Sequence, residues 1–158
     1  MRLVLAAIAL LAANPLHALS CLKPDPVSRY LEAVEATEGY FIVVGEISYA
    51  RTPPERPDSA AFEERPDVTI QAKIEGQALG KQGFERAFKR DLDLVSTCIG
   101  PWCGQFPQQG PLLAFVRAAE PQPVLEMSAC PHNTFLPAPE NLARIEACHL
   151  RGKCEPAQ

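Results

Sequence analysis

Apolar and polar positions change period several times along the chain, and each change marks an element. Leu3 to Ala13 (LVLAAIALLAA) is apolar without interruption, with Arg2 before it and Asn14-Pro15 after it. Eleven residues of helix reach about 16 Å, half of a bilayer core, so the run is too short to span one. A positive start, an apolar run, a breaker and then small residues read as a secretory signal peptide over residues 1–20. Next, Asp25-Pro26 supplies an N-cap acceptor and a proline for the first turn of a helix. Val27, Tyr30, Leu31 and Val34 form its apolar stripe, and Gly39 is placed to end it.

The period then drops to two. Tyr40 to Ser48 (YFIVVGEIS) is rich in β-branched and aromatic residues and predicts a strand, with Gly45 marking a bulge or sharp bend. Arg51 to Pro66 carries four prolines and seven charges and reads as a surface excursion. From Asp67 to Gly76, Val68, Ile70, Ala72 and Ile74 alternate with Thr69, Gln71, Lys73 and Glu75, the pattern of a half-buried strand. Gly76, Gly80 and Gly83 mark a turn, and Phe88, Arg90, Leu92 and Leu94 share the face of the strand that follows. Pro111–Arg117 and Val124–Ala129 predict a last hairpin, and Pro139–Cys148 a closing helix with Leu142 and Ile145 on its apolar side. The sum is one domain over residues 21–158: mainly β, about five antiparallel strands, a helix at each end.

Charge narrows the functions. Removing residues 1–20 leaves 14 basic against 19 acidic side chains, a formal charge of −5. Phosphate contacts need a basic face, so a nucleic-acid partner is excluded as an expectation. The absence of an apolar run of spanning length argues against a transmembrane segment, and a monomer is expected.

Cysteine changes the picture more. All six (Cys21, Cys98, Cys103, Cys130, Cys148 and Cys154) follow the signal segment, and an even number in an exported domain implies three disulfides out of fifteen pairings. Short spacings suggest Cys98–Cys103 and Cys148–Cys154, which leaves Cys21 with Cys130. Cleavage after Ser20 would make Cys21 the N-terminus of a periplasmic or secreted protein. A lipid on Cys21 is the weaker alternative, because it would strand one thiol. The Cys98–Cys103 pair has four residues between its cysteines where thiol exchangers have two, and no helix pattern follows it. His132, two residues after Cys130, and His149, next to Cys148, are the candidates for a metal site or general base, but their spacing is not that of a zinc motif. Asp91 and Asp93 share a strand face and could hold a cation. No nucleophile elbow, zinc-protease helix, phosphate loop or haem attachment motif occurs, so no catalytic residue, cofactor or resident metal is expected.

The order of pieces adds a resemblance. Cys21, the block Gly39–Ile47 (GYFIVVGEI), Val68-Thr-Ile-Gln-Ala, Cys103-Gly104 and Leu125-Glu-Met-Ser-Ala-Cys130 resemble the netrin-like domain of the tissue inhibitors of metalloproteinases and their bacterial relatives. The resemblance implies a five-stranded OB-type barrel. It also implies an inhibitory role for a free Cys21 amine on a protease zinc, although Lys23 stands where those inhibitors carry a second cysteine. The leading expectation is a non-catalytic envelope module that binds a protein or peptide through the barrel rim and the Arg51–Pro66 excursion. Inhibition through Cys21, and metal binding or catalysis by His132 and His149, are the alternatives.

Overall fold

The computed structural model describes residues 19–55 and 65–157. The expected signal segment, apart from Leu19 and Ser20, and the middle of the charged excursion lie outside the described residues.

Helix α1 spans Pro26–Glu35. The extended Asp25 turns its carboxylate onto the N–H groups of Val27 and Ser28, at 3.1 and 2.9 Å, so two of the helix's orphan donors are satisfied. The helix ends four residues before Gly39, because Gly39 already belongs to the sheet: its carbonyl accepts from Ala118 N–H at 2.7 Å. Strand β1 is Tyr40–Ser48, β2 is Val68–Gly80 and β3 is Gly83–Ser96. A two-residue turn joins β2 to β3, and Gly83 sits there at φ 118°, a conformation that excludes most side chains.

Gly45 and Gly76 have a different use from the bulge and turn expected of them. They face each other in unbroken register across β1 and β2. A Cβ on Gly45 would lie 2.4 Å from Glu75 O, and one on Gly76 2.2 Å from Val44 O. The two backbones therefore approach so closely here that only glycine fits.

Strands β4 (Cys98–Ile99) and β5 (Trp102–Cys103) form a small separate hairpin. Strands β6 (Gly110–Arg117), β7 (Val124–Met127) and β8 (Thr134–Phe135) and helix α2 (Pro139–Arg151) complete the elements of the described residues. In the main sheet β1 pairs with β2 and β6, β2 with β3, and β6 with β8, all antiparallel. The expected antiparallel arrangement fails at β7, which runs parallel to β3 over Asp93–Ser96. The expected last hairpin is reduced to one residue pair, Arg117 with Val124, because β7 spends its hydrogen bonds on β3. Among the described residues the architecture is mainly β with two helices and three disulfides, and its sheet is not a clean barrel.

Two apolar cores flank β6. Val43, Ile74, Leu92, Leu94, Ala114 and Val116 pack on one side, with Leu125 and Met127. Leu113 and Phe115 pack on the other, against Val27, Tyr30, Ile42 and Ile145. Leu112 to Val116 are consequently all buried, which is why this strand reads as a continuous apolar run.

The helix layer is tied by polar contacts as well. Arg144 of α2 reaches the Asp25 carboxylate at 2.6 Å. Burial alone would raise that carboxyl, but the Ser28 N–H and Arg144 outweigh it and hold it below the usual carboxylate range. Tyr30 is buried, which pushes its phenol up, and its hydroxyl lies 2.9 Å from His149 Nδ1. His149 Nε2 is 2.9 Å from the carbonyl of Gly80, which places a proton on Nε2; in the neutral ring Nδ1 then accepts from Tyr30. Arg29 is buried between the Tyr40 and Phe115 rings and donates to Asn133 Oδ1 at 2.8 Å.

Candidate functional site

Strand β3 has fourteen residues and β7 only four, and that mismatch creates the site. β7 covers β3 from Asp93 to Ser96, so from Gly83 to Leu92 one edge of β3 has no strand beside it. Single contacts fix the two ends of this edge. Phe84 N–H donates to Glu146 Oε1 of α2 at 3.1 Å, and Asp93 N–H to Pro123 O at 2.9 Å.

Two hollows of about 640 and 440 Å³ lie along the open stretch and have Phe41 and Arg90 in common. The larger is walled by the β6–β7 loop, Ala118 to Pro123, and by Asp91; the smaller continues over Arg86 to Lys89. Their apolar base is Phe41 against Phe88, with ring centroids 5.1 Å apart. Gln122 fastens the loop to the sheet: its Nε2 donates to Asp93 Oδ1 at 2.7 Å and to Gln71 Oε1 at 2.8 Å, and Gln71 donates to Asp93 as well.

Charges divide by strand face. On the outer face Lys89 pairs with Glu75 at 2.6 Å and Lys73 with Asp91 at 3.5 Å, exposed pairs worth well under about 1 kcal/mol each. On the other face Arg86 and Arg90 flank Phe88 at two-residue steps. Among the described residues neither arginine has a carboxylate partner. The alternation Phe88-x-Arg90-x-Leu92-x-Leu94 already carried the signal, a cation on an otherwise apolar face, but only the length of β7 reveals that this cation stands at an opening.

The residues singled out in the sequence lie elsewhere or are otherwise engaged. Asp91 and Asp93 share the rim, yet one faces Lys73 and the other Gln71 and Gln122. Among the described residues no group of three or more His, Cys, Asp or Glu could hold a metal ion. His132 turns Nδ1 to the carbonyl of Cys130 at 2.8 Å and to Ser128 Oγ at 3.3 Å, which stabilises the loop after β7. His149 has both ring nitrogens occupied in the helix layer.

Disulfides join Cys21 to Cys130, Cys98 to Cys103 and Cys148 to Cys154, and there is no free cysteine among the described residues. Cys98–Cys103 closes the β4–β5 hairpin and does not stand at a helix N-terminus, the setting that thiol-exchange chemistry uses. Cys21 is exposed and bridged, and Leu22 after it is 94% exposed. No described helix is long and apolar enough to cross a membrane. Set against known proteins, the chain matches no family model, no curated protein and no solved structure.

Proposed function

We propose that this chain is an exported, non-catalytic interaction module of the bacterial cell envelope, built on an OB-type, netrin-like scaffold. Three disulfides support export to an oxidising compartment. The scaffold reading rests on the circuit of pairings β1–β2–β3–β7–β6–β1, with the parallel β3–β7 pair and the Cys21–Cys130 bridge beside it. One observation carries the function: a stapled sheet that keeps a solvent-open hollow of about 640 Å³ at its least-paired seam, bordered by a loop that Gln122 fastens in place. Rigid scaffolds that present a loop over an opening are where binding is usually found.

Site-specific photocrosslinking in cells tests this. A photoreactive residue in place of Ala119 or Lys89 should give a discrete adduct with an envelope protein. The same residue at Thr69, on the outer face of β2, should not. Equal labelling at all three positions, or none at any, overturns the reading.

A further inference from the structure

We propose that the open edge of β3 binds an extended acidic peptide segment as an added strand, with the pattern acidic–x–apolar–x–acidic. This rests on the reading of the chain as an interaction module and names the partner's chemistry.

The backbone supplies the first half of the argument. Asp93 N–H points away from β2, toward Pro123. In a strand, residues two apart turn their main-chain groups the same way, so Asp91, Lys89 and Ala87 present N–H and C=O groups along that same edge. Among the described residues no strand, loop or side chain accepts from or donates to these groups. An unpaired edge of this kind is a template for strand addition.

Side chains supply the second half. Arg86, Phe88 and Arg90 lie at alternate positions, with the two guanidinium-bearing residues about 13 Å apart along the strand. An added strand places its own side chains at the same alternate steps. The position opposite Phe88 would meet Phe41 and Phe88 and favours an apolar group. The positions two before and two after would meet Arg90 and Arg86, which pair well with carboxylates.

The same geometry selects against a second copy of this chain. Two β3 edges paired antiparallel about Phe88 would set Arg86 of each against Arg90 of the other. Like charges directly opposed destabilise a sheet. The two arginines thus guard the edge against self-association while leaving it open to an anionic strand.

The test uses the full oxidised protein and fluorescein-labelled peptides Ser-Glu-Thr-X-Thr-Glu-Ser, with X as Leu, Val or Phe, in anisotropy titrations. At least one should bind, more weakly as salt rises. A peptide with both Glu changed to Lys should bind at least tenfold more weakly, and so should one N-methylated on alternate amides. Arg86→Glu/Arg90→Glu should lose the acidic peptide and gain the Lys version. Both arginines are exposed, so an unchanged melting temperature should show that the double variant is folded. Amide exchange at Ala87, Lys89 and Asp91 should slow on binding.

Absence of binding by all three peptides at about 1 mM, or affinity that ignores the charge reversal or the N-methyl groups, overturns the proposal. Concentration-dependent dimerisation relieved by blocking this edge overturns it in favour of a second copy. If the peptides fail while the crosslinked adduct at Lys89 persists, the partner chemistry is wrong and the module reading stands. If both fail, that reading goes too.

Discussion

Gly104 shows how much a missing side chain can decide. Its N–H donates to Thr97 O at 2.9 Å, and its carbonyl accepts from the fully buried Ser96 hydroxyl at 2.6 Å. A Cβ there would lie 1.8 Å from Met127 O, a main-chain atom of β7 that already accepts from Thr97 N–H. A flexible side chain could yield; this backbone is held by the strand pairing. Gly104→Ala is expected to lower stability by about 3 kcal/mol, at the upper end for overpacking, read as a shift of the urea midpoint. Cys103-Gly104 stood out in the sequence only as part of a resemblance; the local pattern gives no sign of the close approach, since the atom Gly104 avoids is 23 residues away in the chain. His149 was similarly opaque: its neighbour Cys148 suggested a metal, whereas Tyr30 and Gly80, both distant in sequence, account for both ring nitrogens.

Elements were legible where their cause is local. Asp25-Pro26 announces the start of α1 because capping involves only the next three residues. Strict alternation placed β2, and the proline at 139 placed α2. What depends on a partner was not legible: the parallel pairing of β7, the extra length of β3 beyond it, and the close approach of Gly45 to Gly76. The candidate seam belongs to this second class, although Arg90 on an apolar face was visible from the start. The junction of the two helices is an element-scale property that pH can probe. Folding lowers the pKa of Asp25 from its ordinary 3.8, so the folded state favours the ionised form. Its contribution is complete above that ordinary value and is lost as pH falls through the lower folded value. Unfolding free energy should therefore decline below about pH 4, and Asp25→Asn should flatten part of that decline. At neutral pH the substitution should cost up to about 1 kcal/mol, through the ion pair with Arg144 and not the cap, since Asn caps a helix as well as Asp; denaturant titration across the acid range measures both.

At the scale of the whole molecule, the bridges differ by the length of chain they close. Cys21–Cys130 spans 109 positions and ties the segment before α1 to the segment after β7, whereas Cys148–Cys154 spans 6 and fastens the end of α2. On the chain-entropy account, the long loop contributes about 4–5 kcal/mol and the short one about 2. Replacing Cys21 and Cys130 by Ser should thus lower the guanidinium midpoint about twice as far as Cys148→Ala with Cys154→Ser. Equal losses would mean that strain or residual structure, rather than loop closure, governs the effect. Polar contacts join the two ends of the described residues beside that bridge. Arg144 donates to the carbonyl of Glu155 and to Asp25, so the last residues lie beside the first helix.

The burial of β6 on both faces has a consequence for how the molecule opens. A layer that rests on its own floor can lift away and leave the rest intact. Here the floor under the helices is the same strand that walls the interior of the sheet, with Leu113 and Phe115 on one side and Ala114 and Val116 on the other. Lifting α1 and α2 would wet the back of β6 and leave the strand half-solvated, so partial opening gains little freedom for the apolar surface it exposes. The helices and the sheet are therefore one cooperative unit, and the protein should pass from native to unfolded without stopping at a helix-free sheet.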